Sequence, residues 1–265
     1  MKVAIINDTQ IGTHFGTRMV MTAYRKMLND RHIELVGTLK RGVLWGDKTS
    51  RKLLDNADLV IVNGEGSLHD NGFSHLLSVG AQYPSILMNS VFQNMSSAHQ
   101  KLKKFRHIAV RESMSADHMY ATYRIRPEVI PDMSFALHGT LPQFAGNGRD
   151  FFFSDSVIRD GIYTHSAFDR RFVENMAAHK RACCGRFHAI CVAAMIGIPF
   201  SAWRSNTWKN KAIMLDMGIP ELYAHTQSDA FMLVPDSASD SVADYAHKAV
   251  KKINNLFDRI ANGKI

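Results

Sequence analysis

The feature that most narrows what this chain can fold into is an alternation of short apolar runs with helical periods. Residues 2–7, 33–38, 59–63, 85–89, 107–111 and 129–130 read as strands, and most of the gaps between them carry helical patterns, such as 17–29 and 113–123. Strands alternating with helices give βα units and a mainly parallel sheet. The runs are apolar at consecutive positions, so both faces of each strand are expected to be covered, as helices on both sides of a parallel sheet require. Polar residues collect just past the strand ends, at Asn7-Asp8, Gly64-Glu65-Gly66-Ser67, Arg111-Glu112-Ser113 and Asp132. In open α/β sheets that carboxyl edge is where ligands bind.

Residues 138–150 contain Gly139, Gly146, Gly148 and Pro142 without a helical period, which predicts a linker. A second, shorter series follows. Strands are expected at 151–153, 182–184, 199–203 and 231–234, with helices at 167–179, 188–196 and 209–217. In residues 240–261, Val242, Ala246, Ala249, Ile253, Leu256 and Ile260 recur at helical spacing, so a long amphipathic helix closes the chain. The expected architecture is α/β with two Rossmann-like lobes, residues 1–138 and 150–265, the second shortened, and a ligand cleft between them.

Apolar residues make up 46% and charged residues 21%, which places the chain among globular proteins. The formal net charge of +8 favours anionic partners. Basic residues are scattered, with small clusters at 101–104 and 248–252. Without a dense basic block, nucleic acid is not the expected partner; a phosphorylated donor, an acidic glycan or an anionic membrane surface fits the charge. Cys183, Cys184 and Cys191 have no metal-ligand spacing and read as free thiols, so neither metal nor cofactor is expected. The first apolar run is too short for a signal-peptide core, and the longest, 189–200, is too short to span a bilayer and contains Gly197 and Pro199. A cytoplasmic protein is expected, one able to work at the inner face of the membrane.

Several motifs carry candidate chemistry. Asn7 to Gly12 follows the first strand; Gly12 lets a ligand approach the backbone, although a plain strand–helix turn explains the segment as well. In Gly64-Glu65-Gly66-Ser67 two glycines flank one carboxylate. They permit a turn with positive φ that would hold Glu65 at the cleft edge as a general acid or base. Ser113 is placed to cap a helix. Arg111 suits a buried ion pair or an anion clamp equally, and Asp132 ends the last strand of the first lobe. Arg186 and His188 stand at a helix start, where a guanidinium fork and an imidazole can hold an anion or move a proton. Ser205, Asn206 and Lys209 open the next helix as a candidate phosphate cradle, or as an ordinary capped surface helix.

The order of these motifs resembles the polysaccharide pyruvyl transferase family. It runs from an N-terminal Asn with Gly through the Gly-x-Gly-Ser loop, Arg-x-Ser, Pro-Asp and Arg-x-His to the Lys-bearing loop before a Leu-x-x-x-Gly-Ile segment. The resemblance covers about residues 6–219 and is most specific at 63–67 and 185–189. It implies a GT-B-like fold and transfer of a pyruvyl group from phosphoenolpyruvate to a sugar of a bacterial surface polysaccharide. Arg186 and His188 then match the element that serves the donor and catalysis. The family's loop is often Gly-Gly-Gly, whereas this chain has Glu65 at its centre. A carboxylate there suits glycosyl transfer from a CMP-activated keto sugar, with Glu65 as acid/base and Asp132 as nucleophile or stabiliser. Retaining CMP-Kdo transferases are similar in motif order and carry this alternative. A non-catalytic glycan- or nucleotide-binding protein is a third, weaker reading.

Overall fold

Two parallel sheets organise the chain. The computed structural model describes residues 1–10, 12–144, 146, 148–158 and 165–265. The first sheet contains β1 (Lys2–Asp8), β2 (Glu34–Lys40), β3 (Leu59–Glu65), β4 (Ser85–Ser90), β5 (His107–Val110) and β6 (Glu128–Val129), in the order β2-β1-β3-β4-β5-β6. Every neighbouring pair runs parallel. The crossovers are α1 (Phe15–Asn29), α2 (Lys48–Leu54), a 3-10 turn at Ser74–Ala81, α3 (His99–Leu102) and α4 (Ser113–Tyr123). All residues of β3 and β4 are buried, as the continuous apolar runs predict.

A second sheet has the order β10-β9-β8-β7, built from β7 (Arg149–Phe153), β8 (His179–Cys184), β9 (Phe200–Trp203) and β10 (Tyr223–Ala224), again all parallel. Its helices are α5 (Phe172–Ala177), α6 (Phe187–Ile196), α7 (Lys209–Asp216) and α8 (Gln227–Met232), and α9 (Asp240–Ala261) ends the chain. Four strands against six make this the shorter of the two Rossmann-like halves. Every residue of α6 is buried, as expected for a helix that is apolar all round.

The compact units are not contiguous in sequence. One comprises Met1–Gln10, Met21–Met133 and Lys252–Ile265; the other comprises Ile11–Val20 and Ser134–Lys251. Both α1 and α9 therefore contribute residues to each unit. In the first unit the end of α9 is fixed by Arg31, which donates to Asp258 Oδ1 at 2.8 Å and Asn254 Oδ1 at 2.9 Å, and by Arg259, which pairs with Glu128. In the second, Val242, Ala246 and Ala249 are buried and Tyr245 meets the ring of Phe135 edge-on.

Three local expectations change. The apolar run at 231–234 is not a strand: Phe231 and Met232 end α8, whose N-cap Thr226 accepts the Asp229 N–H, and Met232 is 78% exposed. The strand of that region is β10 instead. Helix α5 is shorter than the predicted 167–179, because His179 already pairs in β8 with Arg149. Glu112, not Ser113, caps α4, its carboxylate accepting from Ser115 N at 2.8 Å. Of the expected linker, residues 145 and 147 lie outside the described residues.

Candidate functional site

In the first unit the candidate residues meet at the carboxyl edge where strand order reverses between β1 and β3, the position at which α/β sheets bind ligands. Three strand ends turn out of the sheet through left-handed residues, Asn7 (φ 65°), Glu65 (φ 38°) and Asn89 (φ 57°). Asparagine tolerates that conformation because its short amide bonds locally. The amides tie the strand ends together. Asn7 Nδ2 donates to Asn63 O at 2.6 Å and Ser67 Oγ at 3.1 Å, and Asn63 Nδ2 returns to Asn7 O at 3.1 Å. Asn89 Nδ2 donates to Asn63 Oδ1 at 3.1 Å, and its own Oδ1 takes Met133 N–H at 3.0 Å. Among the described residues, Asn7 Oδ1 is buried without a hydrogen-bond partner.

The glycines of the loop act differently from expectation. Neither Gly64 nor Gly66 has a positive φ; Glu65 itself does. A Cβ on Gly64 would stand 2.9 Å from Ser90 Cα and overlap its side chain, so Gly64 is needed for space, while at Gly66 a Cβ would meet nothing. A left-handed Glu costs about 1–3 kcal/mol, so the loop carries the Glu65 side chain at the expense of stability. Glu65 is 6% exposed and accepts from the Thr9 hydroxyl. The Tyr24 phenol is held well above its usual pKa by burial first, then by the charges of Asp132 and Glu65. It stays protonated and donates to Asn63 Oδ1 at 3.4 Å.

Arg111 and Asp132 form an ion pair at 3.1 Å with side chains 1% and 0% exposed. Of the two uses open to Arg111, the geometry selects the buried ion pair over the anion clamp. A nucleophilic Asp132 needs an accessible oxygen, and this side chain has none. Its place is beneath the edge, beside Met133, whose N–H holds Asn89.

The second unit assembles a different group at the carboxyl edge of its own sheet. Arg186 donates a two-pronged fork to Asp155, Nε to Oδ1 at 3.1 Å and Nη2 to Oδ2 at 2.6 Å. Ser154 Oγ accepts the N–H groups of Gly185 at 2.8 Å and Arg186 at 3.4 Å, fixing the turn from β8 into α6. A Cβ on Gly185 would lie 2.7 Å from Asp155 O and overlap the Trp203 ring, so only glycine fits there. His188 is 7% exposed and packs on Gly16, where a Cβ would come 2.7 Å from His188 Cβ.

Gly16 belongs to the first turn of α1, which Phe15 fastens by donating its N–H to Ala167 O at 2.9 Å and stacking on Phe172 with ring centroids 3.7 Å apart. His14 precedes it and accepts Thr17 N–H on Nδ1 at 3.3 Å. Its pKa is lowered to about 3 by burial first, then by His188 and Arg186. At neutral pH His14 is therefore uncharged, with its proton on Nε2. Beyond β9, Lys209 Nζ donates to Asn206 Oδ1 at 2.7 Å, as does Ser205 Oγ at 3.2 Å, and Asn210 Nδ2 ties Gly185 O to Trp203 O at 3.1 and 2.8 Å.

Each expected residue thus falls in one of two groups. Asn7, Gly64, Glu65, Gly66, Ser67, Arg111 and Asp132 belong to the first unit; Gly12, Arg186, His188, Ser205, Asn206 and Lys209 belong to the second. Sequence reasoning missed His14, Asp155 and Asn89, and gave Asn63, the first residue of the 63–67 motif, no role. Asp155 follows a strand end, the same signal that picked out Asp132. Cys183, Cys184 and Cys191 are buried and in no disulfide; burial pushes Cys183 up to about 12 and raises Cys184 well above the usual thiol value, so neither is a nucleophile. Among the described residues no group of His, Cys, Asp and Glu is placed to hold a metal ion, and no helix is long and apolar enough to cross a membrane.

The sequence model of the polysaccharide pyruvyl transferase family matches residues 19–202, more than half of the chain. The chain belongs to the polysaccharide pyruvyl transferase family. The matched span contains Glu65, Arg111, Asp132, Arg186 and His188. No curated protein matches the chain. Among solved structures, a functionally uncharacterised protein from Klebsiella pneumoniae is similar with TM-score 0.54 and 14% identity, over 81% of this chain and 88% of that one. A DNA-modifying β-glucosyltransferase has TM-score 0.50 and 9% identity over 100% and 96%. An α-glucosyltransferase solved with UDP and DNA has TM-score 0.50 and 9% identity over 98% and 99%. At such identities the likeness concerns the fold alone, which is of the two-sheet GT-B kind. Family and fold together make the protein a transferase.

Proposed function

We propose that this family member transfers the pyruvyl group of phosphoenolpyruvate to two hydroxyls of a sugar in a surface polysaccharide, working in the cytoplasm. The observation that carries the reading is the cluster of Arg186, His188 and His14 at the edge of the second sheet, held in place by Asp155 and Gly16. An enol phosphate bearing a carboxylate needs cationic and N–H donors. The Asp155 fork uses Arg186 Nε and Nη2 and fixes the guanidinium plane; Nη1 takes the donor. Neutral His14 offers an Nε2–H without a competing charge, and Ser205, Asn206 and Lys209 extend the donor cradle.

His188 supplies the proton that converts the donor's terminal CH2 to CH3. One sugar hydroxyl then bonds to the neighbouring carbon, and the second displaces phosphate from it. One hydroxyl proton restores His188 and the other leaves with phosphate, so a pyruvyl ketal and inorganic phosphate are the products. In the first unit the Asn7–Asn63–Asn89 amides and Ser67 fix the strand ends beneath the loop that carries Glu65. Asp132 acts as a positioning residue through Arg111 and Met133.

A second reading, retaining transfer from a CMP-activated keto sugar, is favoured by one observation: the strained Glu65 carboxylate at the sheet edge. The two separate in a single assay. The protein is incubated with phosphoenolpyruvate or with CMP-sugars, each with glycan acceptors, and release of phosphate or CMP is followed. Pyruvyl transfer predicts phosphate release that survives in Glu65→Gln. CMP release that disappears in that variant would replace it with glycosyl transfer, where general base catalysis is worth roughly 100- to 10,000-fold.

A further inference from the structure

The loop between β2 and α2 carries two aliphatic side chains out into solvent. Val43 is 38% exposed and Leu44 is 65% exposed. The loop is built rather than loose. Val43 N–H donates to Lys40 O at 3.0 Å, closing a turn in which Gly42 takes φ 84°. Immediately after the tip, Trp45 is buried, its indole donating to His75 O at 3.1 Å and meeting Tyr83 edge-on. Arg41 lies over the Phe73 ring at 4.8 Å, and Arg51 Nε donates to Gly46 O at 2.9 Å. The anchored base forces Val43 and Leu44 outward.

Cations flank this tip along the chain: Lys40, Arg41, Lys48, Arg51 and Lys52 are all exposed. Three carboxylates stand near them. Asp47 is committed to α2, accepting Thr49 N–H at 2.9 Å and Ser50 N–H at 3.0 Å, Asp55 accepts the Tyr83 hydroxyl at 3.0 Å, and the buried Asp8 accepts the Thr38 hydroxyl at 2.8 Å. Five exposed cations against three engaged carboxylates leave a positive collar about an apolar point.

We propose that this loop docks the protein onto an anionic lipid bilayer, with Val43 and Leu44 entering the acyl boundary and the collar meeting the headgroups. Charge alone would serve nucleic acid equally, but aliphatic side chains gain nothing from a phosphate backbone and gain directly from hydrocarbon. The loop follows β2, whose Thr38 bonds Asp8 Oδ2 at 2.8 Å, while Arg41 N–H bonds Asp8 O at 2.8 Å. The docking face therefore belongs to the same sheet edge as Asn7 and Glu65. That a lipid-anchored sugar acceptor arrives there rests on the proposed reaction; the docking itself does not.

The test is co-sedimentation of the full chain with phosphatidylcholine vesicles, with and without phosphatidylglycerol. Binding is expected only with phosphatidylglycerol and falls with added salt. Neutralising Lys48→Gln or Lys52→Gln should weaken it roughly fivefold each, and the paired Val43→Ser, Leu44→Ser variant should weaken it at unchanged charge. All four positions are exposed, so these variants fold, and phosphate release from phosphoenolpyruvate is a separate readout that their failure to bind would not alter. Absence of binding by the unaltered protein overturns the proposal. So does equal binding by the serine pair, which would reduce the contact to charge alone.

Discussion

The two sheet edges have the same topology of parallel strand ends but opposite chemistry. In the first unit the edge carries the Glu65 carboxylate and is internally bonded: asparagine amides join three strands, and Arg111 beneath them is paired with Asp132 out of reach of solvent. In the second unit the Arg186 side chain is 21% exposed, and two imidazoles stand with it. Buried pairs fix a shape; partly exposed cations hold a ligand. Under the proposed function the first edge serves acceptor shape and the second donor charge, and each change below is a way to break or sharpen that comparison.

The largest expected effect is on stability at the first edge. Asp132→Ala removes the carboxylate that faces the buried Arg111 charge, which should cost about 3–5 kcal/mol, read as a lower urea midpoint. If Asp132→Ala unfolds at the same urea concentration as the unaltered protein, the pair is not what fixes this edge. A smaller loss belongs to Gly64→Ala. Its Cβ would press on Ser90, so overpacking should cost about 1–3 kcal/mol, whereas Gly66→Ala, where a Cβ meets nothing, should cost less. Equal losses at the two glycines would remove the spatial argument for the loop.

At neutral pH the smallest effect is electrostatic and lies at the second edge. His14 has a folded pKa of about 3 against 6.5 for the free side chain. Between those values the unfolded chain binds more protons than the folded one, so stability falls with falling pH. The contribution of neutral His14 is full above about pH 6.5 and is lost as pH drops towards about 3. His14→Gln should flatten the stability–pH curve in that window, measured by thermal melts across pH. An unchanged slope would mean that His14 does not sit against Arg186 and His188 as described.

Much of the architecture was legible in the sequence because buried parallel strands declare themselves. The strands of the first sheet fell within a few residues of prediction, and α4 and α9 matched at both ends, since continuous apolar runs and a sustained helical period have few other uses. The misreading at 231–234 has a physical cause. Phe231 packs beside Phe151 and Phe153 from a helix, and a short apolar run does not distinguish strand from helix without its caps. The site was legible as strand ends but not as partners. Nothing near Arg186 in sequence announces Asp155, a fork closed across the ends of β8 and β7, and His14 is brought to His188 across the bare Gly16. Glu65 was found for a reason that needed revising: its own backbone, not that of its glycines, takes the left-handed turn.

The claim that the second edge is the anionic donor site is tested most directly by calorimetric titration of phosphoenolpyruvate into the unaltered protein and into Arg186→Ala, with circular dichroism showing that the variant is folded. Loss of a charged contact in a desolvated site should cost about 2–5 kcal/mol, roughly a 30- to 5,000-fold weaker affinity. Phosphoenolpyruvate bound with the same affinity by folded Arg186→Ala would contradict the account.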